Sequence, residues 1–518
     1  DCFASRPALQ CSAVSGCEDH ISRTMWGRSQ SSASGSHRAG ILRDRFLASC
    51  GPSRHIPTIS PPVSLIAVRL LEGSYVSLSG EPGLSPRVYN RFFATGRRRT
   101  AVLSLVTAML GLGSLTMPNV LFHGGGIVGL GALATGAMMA CASTRLLVRV
   151  LVVLEKSSYE EMAWECFGRR GAIMAEVCSI GLAFTTAAGY LLTAGDIMAV
   201  VLHQKFEGDQ PFEQDSTFKY GLWFVTLAIM MPVVILSRLS RTVLCWLPNA
   251  CYVALVAHFA LVFCLFDVYL RYGYDTSLGH PTFSWEAVMA PTSLPGFVRA
   301  VSFTTFAYAC PTNIPAVYGE LDRRGLRRMD AVTTAAYMVC SATYVLIGVM
   351  GYLIFGLDVT PSILHGLLVT HPRCPSVKLL LSTFFLCSIT NYLINILPIS
   401  YSLEMVLAYY RRLICGRCCA WSALSWLMSW IICFSTVFGS LYLAKSAGNL
   451  GDILQLAACV FGSILCFIFP GIFYVSVIGG GPLAGEKPLA WIMLFLGVFL
   501  LTYGTWVSCK DIWGSWSK

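Results

Sequence analysis

Gly111-Leu112-Gly113-Ser114, with Pro118 a turn beyond, interrupts one long apolar stretch of this chain; Ala309-Cys310-Pro311-Thr312-Asn313, with Pro315 beyond, interrupts another. Each stretch is otherwise long enough to cross a bilayer as a helix, which takes ~20 residues. In hydrocarbon every backbone N–H and C=O needs a partner. Helix-breaking residues persist there only where protein or a water-filled cavity lies alongside. The two interruptions therefore mark a protected place at membrane depth.

The composition fits that setting. Of 518 residues, 55% are hydrophobic and 12% charged, with a mean hydropathy of +0.63. A soluble domain carries about 25% charged residues, so this is an all-α polytopic membrane protein whose first partner is the lipid bilayer. The net charge of +10 is scattered between apolar stretches rather than gathered on one face, which argues against nucleic acid as a partner. The 21 cysteines fall mostly inside apolar stretches, where Cys acts as a small hydrophobe. Cys374 and Cys509 lie in or near the outer segments.

Residues 1–96 are rich in Ser, Arg, Gly and Pro and contain no run long enough to span. They read as a disordered basic cytoplasmic tail. Residues 97–509 form the transmembrane domain, and 510–518 a short C-terminal tail. About eleven spans are expected, within 98–122, 125–153, 173–202, 219–237, 243–270, 296–319, 329–356, 377–409, 424–444, 448–476 and 488–509. With the tail inside, the inner loops (Lys156, Arg169, Arg238, Arg324, Arg328 and Arg411 among others) carry roughly twice the basic residues of the outer ones, as the positive-inside rule requires.

The interruptions fall in spans 1 and 6, five spans apart. Residues 98–270 and 296–476 thus pair as two repeats, and an odd number of spans per repeat makes the second inverted, with 488–509 as an extra helix. Paired interrupted helices point to the binding site of a secondary transporter. At the first break, Gly111, Leu112, Gly113 and Ser114 offer free amides to a carboxylate and free carbonyls to a cation. At the second, Phe303, Phe306, Ala307 and Tyr308 offer walls and polar groups. Ionisable residues inside spans are functional candidates by default: Asp196 first, then His258, as a proton relay or a core histidine, and Glu176 and Glu404, expected to pair with inner Arg residues or face water. Arg299 and Asp452 lie at outer ends, where a gate pair is one reading and snorkelling the other.

Phe306-Ala-Tyr-Ala-Cys-Pro-Thr-Asn-Ile-Pro-Ala-Val-Tyr-Gly-Glu-Leu-Asp-Arg-Arg-Gly-Leu-Arg-Arg-Met329 resembles the sixth helix and following loop of the amino acid/auxin permease family, in particular its sodium-coupled neutral amino acid transporters. The supporting pieces are Gly111-Leu-Gly-Ser-Leu-Thr-Met-Pro118, Ser158-Tyr159 with Cys166-Phe167-Gly168, Gly189-Tyr190 through Gly195-Asp196, and Gly351-Tyr352-Leu-Ile-Phe355-Gly356. The likeness covers roughly 97–509. It implies a LeuT-like 5+5 inverted repeat plus one helix, an amino acid substrate, and coupling to Na⁺ or H⁺ without any cofactor. Its sodium-coupled members carry an Asn shortly before the first break, where this chain has Thr107; Thr107, Ser388 and Asn391 are the residues left to hold Na⁺. A basic substrate fits if Asp196 faces the site.

The expected function is secondary active amino acid transport, with a membrane-bound amino acid sensor of little flux as the alternative. The plasma membrane is the expected location, a vacuolar or lysosomal membrane the alternative. An enzyme is not expected, because no nucleophile–base or metal constellation is present. Gly124-x-Gly126-x-x-Gly129 fits a dinucleotide fingerprint, but no strand precedes it, and it reads as small-residue packing. Cys415-x-x-Cys418-Cys419 has no second pair to make a zinc site and suits palmitoylation.

Overall fold

The computed structural model describes residues 98–156, 158–206, 221–239, 251–272, 293–321, 324–356, 358–371, 374–415, 422–447, 449–478 and 484–516. These all fall in one compact unit, and every regular element among them is helical. The tail over 1–96 and the Cys418-Cys419 pair lie outside the described residues, as does the side chain of Cys415.

Among the described residues, nine helices are long and apolar enough to span a membrane. A tenth span is bent by 54° where α1 (Arg98–Met109) gives way to a 3-10 turn, Leu112–Thr116, and then α2 (Met117–Gly124). The expected span over 296–319 is divided into α7 (Leu294–Ala307) and α8 (Ile314–Glu320), each too short to cross alone. The described residues thus hold nine to ten candidate spans, and this divided stretch stands where an eleventh is expected. Both breaks fall where Gly or Pro interrupts the apolar stretch.

The other elements are α3 (Gly126–Leu154), α4 (Tyr159–Phe206), α5 (Met231–Leu239), α6 (Cys251–Tyr272), α9 (Leu326–Phe355), the short α10 (Ile363–Thr370), α11 (Pro375–Cys415), α12 (Ser422–Ala447), α13 (Leu450–Ala457), α14 (Phe469–Val477), α15 (Lys487–Phe499) and α16 (Thr505–Trp516). They pack in two groups. The broken helices α1, α2 and α7 cluster with α3 and α9, while α4 packs against α11, α12 and α13. Helix α6 touches both groups, through α9 and α1 on one side and α11 on the other. The glycine motif at 124–129 serves packing: a Cβ on Gly124 would lie 2.7 Å from the Gly129 Cα, so only glycine lets α2 meet α3 so closely.

Two boundaries differ from the sequence reading. Helix α4 begins at Tyr159, well before residue 173, and turns at Gly168, whose φ of 63° suits glycine. Its first turns lie against α14: Tyr159 Oη donates to the Leu465 carbonyl at 2.8 Å, and its ring sits 5.6 Å from that of Phe473. Glu161, Glu165, Arg169 and Arg170 on the same turns lower its hydropathy, which hides the helix from an apolar scan. At the other end, the helix expected to stop at residue 509 runs on as α16 to Trp516.

That extension changes an ion pair. Arg299 does not meet Asp452. Its Nε donates to Asp511 Oδ2 at 2.7 Å and its Nη2 to Asp511 Oδ1, while Asp452 is held by Asn449 at the start of α13. Residue 511 is carried beside α7 by the last turns of α16, beyond the expected span. The Asp511→Asn substitution is expected to cost about 1–2 kcal/mol, between the values for exposed and buried pairs. A thermal melt in detergent checks it, and an unchanged midpoint would assign the pair no structural weight. Elsewhere, Glu404 is paired with Arg238, whose guanidinium lies 4.9 Å from the Tyr401 ring. Glu176 Oε1 is buried without a hydrogen-bond partner. Cys374 and Cys509 are both free thiols.

Candidate substrate and ion site

The two breaks touch. A Cβ on Gly113 would lie 2.6 Å from the Ala307 Cα and 3.2 Å from its backbone N, so the backbones of the two interrupted helices approach as closely as glycine permits. Helix ends leave carbonyls and amides without intrahelical partners. One side chain serves two of these carbonyls: Tyr344 Oη on α9 lies 2.6 Å from the Met109 carbonyl and 2.9 Å from the Ala307 carbonyl. Its ring packs edge-on to Tyr308 at 5.2 Å, and Tyr308 Oη donates to Ser341 Oγ at 2.9 Å.

Of the remaining first-break residues, Leu112 and Ser114 are buried and Gly111 is half-buried. Leu112 packs against Gly189 of α4: a Cβ there would meet the Leu112 side chain at 2.7 Å. Gly111 faces Tyr190, whose Oη would lie 2.8 Å from a Cβ at that position. Ser114 Oγ lies 2.8 Å from the Gly111 carbonyl and 2.7 Å from His258 Nε2 on α6. His258 therefore belongs to the break.

At the second break, Ala307 and Tyr308 meet the first break and α9. Phe303 stands one turn outward, near Gly451 and stacked 6.4 Å from His123, and Phe306 is half-buried. Asp196 lies two turns further along α4 on the face that carries Gly189, about 10 Å away along the axis. Thr107 donates its hydroxyl to the Leu103 and Ser104 carbonyls of its own helix, and Asn391 donates its amide to Cys387 O at 2.9 Å. Ser388 Oγ is fully buried and has no partner. No hydrogen bond links Thr107 to Ser388 or Asn391 among the described residues. His258 touches both of their helices, through Gly111 after α1 and through the Phe384 ring at 5.4 Å on α11.

The sequence reading passed over Tyr344. A buried Tyr on an apolar helix looks like core packing, and only the unwound carbonyls opposite give its hydroxyl a role. Among the described residues, no group of three or more His, Cys, Asp or Glu side chains is placed to hold a metal ion.

The family model for transmembrane amino acid transporter proteins matches residues 94–510, four-fifths of the chain and both breaks. The chain belongs to that family. Its family is one of transporters rather than enzymes. Among its relatives, human solute carrier family 38 member 10 is 24% identical over 379 residues, covering 73% of this chain and 32% of that protein. The chain thus spans about a third of the length of that relative. Sodium-coupled neutral amino acid transporter 7 of Xenopus laevis is 24% identical over 419 residues, covering 79% and 87%. A solved Na⁺-coupled sialic acid symporter aligns with a TM-score of 0.46 at 13% identity, over 86% of this family member and 96% of that chain.

Proposed function

We propose that this family member is a secondary active amino acid transporter working by alternating access around its two broken helices. The observation that carries the reading is the direct meeting of the breaks, Gly113 against Ala307, with Tyr344 holding a carbonyl from each. Such a junction at membrane depth exposes backbone groups to a ligand without exposing them to lipid. The α-carboxylate of the substrate would take the amides of Gly111, Leu112 and Gly113 at the start of the 3-10 turn, with Ser114 closing that turn through its own N–H to the Gly111 carbonyl. Its side chain would meet Phe303, Phe306, Ala307 and Tyr308. Asp196 would select a basic side chain. For the moving parts, α1, α2, α3, α7, α8 and α9 would rock against α4, α5, α6, α11, α12 and the α13–α14 span, in the manner of two opposed repeats.

The coupling ion is H⁺ or Na⁺. Hard cations want several oxygen ligands, and Thr107, Ser388 and Asn391 provide three from two helices. An imidazole beside the Gly111 carbonyl favours the proton. The tail over 1–96 is read as a cytoplasmic appendage, and the plasma membrane as the location, which membrane fractionation tests.

Uptake of tritiated standard L-amino acids into proteoliposomes is the deciding experiment. Counter-flow, with unlabelled substrate inside drawing label in, is expected for at least one of them. Binding without flux would replace the transporter by a sensor. Exchanging Na⁺ for choline at fixed pH is expected to leave the rate unchanged; a collapse in choline would restore sodium as the coupling ion.

A further inference from the structure

His258 is 2% exposed and stands on α6, outside both broken helices. Its Nδ1 lies 2.6 Å from the Ala254 carbonyl one turn back. A carbonyl only accepts, so Nδ1 carries a hydrogen in every protonation state that keeps this bond. Its Nε2 lies 2.7 Å from Ser114 Oγ and 3.3 Å from the Gly111 carbonyl. Ser114 Oγ is itself 2.8 Å from that carbonyl.

The Ser114 hydroxyl has one hydrogen and two acceptors to choose between. With a neutral ring, Nε2 accepts it, and the Gly111 carbonyl keeps only the backbone N–H of Ser114, at 3.1 Å. With a proton on Nε2, the ring donates to Ser114 Oγ and toward the Gly111 carbonyl, and the hydroxyl hydrogen turns to that carbonyl. Both states are complete hydrogen-bond sets, and they interconvert by adding one proton and rotating one hydroxyl. The ring stays where Phe384 and Ala254 hold it.

We propose that His258 is the proton-binding site that couples substrate movement to a proton gradient, by setting how firmly the first break is tied to α6. This rests on the transport reading above and names its ion. In the protonated state the tie is made of charge-assisted hydrogen bonds, roughly twice as strong as neutral ones; in the neutral state one ordinary hydroxyl bond remains. Because α1 belongs to the group that would move and α6 packs along α11 of the other, loading or losing the proton biases the same displacement that opens the site. Linkage is reciprocal, so a substrate that reshapes the break also shifts the proton.

Among the described residues, no charged side chain is hydrogen-bonded to the ring. The titratable groups on neighbouring spans are engaged elsewhere or stand at helix ends. On α9, Cys340 points to the Val106 carbonyl and Tyr344 to the Met109 and Ala307 carbonyls, with Tyr337 bonded to Thr144 and Arg327, Arg328 and Asp330 in the first turns. On α11, Tyr392 bonds Ser440, Cys387 takes the Asn391 amide, and Lys378 and Glu404 lie toward opposite ends. On α1, Arg98 and Arg99 open the helix. The groups bonded to His258 are the Ala254 and Gly111 carbonyls and the Ser114 hydroxyl.

The test uses the full chain in choline-buffered proteoliposomes, with the best-carried tritiated amino acid of the panel. Under an imposed pH gradient the wild type is expected to concentrate label above the equilibrium level. His258→Gln, which donates and accepts but does not titrate, is expected to equilibrate label without concentrating it, at a rate flat with pH. Concentration by His258→Gln, or a wild type indifferent to the gradient while counter-flow persists, overturns the proton site and leaves the transport reading standing. Absence of wild-type counter-flow overturns both. Should His258→Gln fail to insert, Ser114→Ala decides: it keeps the ring and deletes the alternating hydroxyl, so the pH of half-maximal accumulation must move, and an unmoved midpoint overturns the proposal.

Discussion

Gly113→Ala is expected to abolish amino acid uptake while leaving membrane insertion intact. The added Cβ would sit 2.6 Å from the Ala307 Cα, 2.8 Å from its Cβ and 3.2 Å from its backbone N. These are backbone or backbone-fixed atoms, which do not swing aside as the tip of a long side chain does. The two breaks must then part, and in a close-packed interior such a displacement costs about 1–3 kcal/mol or more. Hydropathy, and with it insertion, hardly changes; Gly113→Leu repeats the effect with a larger wedge. Gly131→Ala is the control, since a Cβ there meets nothing within 4 Å. Uptake by both variants, normalised to the monodisperse fraction recovered from the membrane, is the measurement. Wild-type rates in Gly113→Ala would remove the contact between the breaks from the mechanism.

Tyr344→Phe should lower uptake about tenfold or more without loss of the ring packing. The hydroxyl is placed against the carbonyls of both Met109 and Ala307, where α1 and α7 end. The hydroxyl has one hydrogen, shared between the two carbonyls, so removing it leaves a buried acceptor short of a donor, and an unsatisfied buried group costs about 1–3 kcal/mol, where 1.4 kcal/mol is a factor of ten. The penalty falls on the arrangement that keeps the breaks together. Tyr392→Phe is the comparison: it deletes a buried hydroxyl bond to Ser440 of α12, away from the breaks. That variant is expected to melt earlier yet carry substrate at a near-normal rate per folded molecule. Equal losses in the two would make Tyr344 an ordinary stabilising residue.

Much of the architecture was legible before any coordinates. Apolar length marks the spans, because a bilayer sets the length of a helix that crosses it. Gly111, Gly113 and Pro311 mark the breaks, because these residues weaken helices through backbone freedom or a missing N–H. For Glu404 the sequence left pairing with an Arg and facing water both open, and the fold decides for Arg238. The start of α4 was not legible, because its charged outer turns mask an apolar inner face packed on α14.

Three assignments needed the third dimension. Arg299 meets Asp511 because α16 extends the last span beside α7, a contact between residues 212 positions apart. Tyr344 meets the first break across 235 positions and the second across 37. His258, a lone histidine on an apolar helix, reads equally well as core or as relay until Ser114 and Gly111 stand against its Nε2. Local sequence determined where the chain spans and where its helices must fail, because hydropathy and backbone propensity act within a few residues. Which side chains answer the orphaned carbonyls at those failures was decided by tertiary packing alone, because a hydrogen bond depends on positions in space and carries no trace in the spacing of the residues that make it.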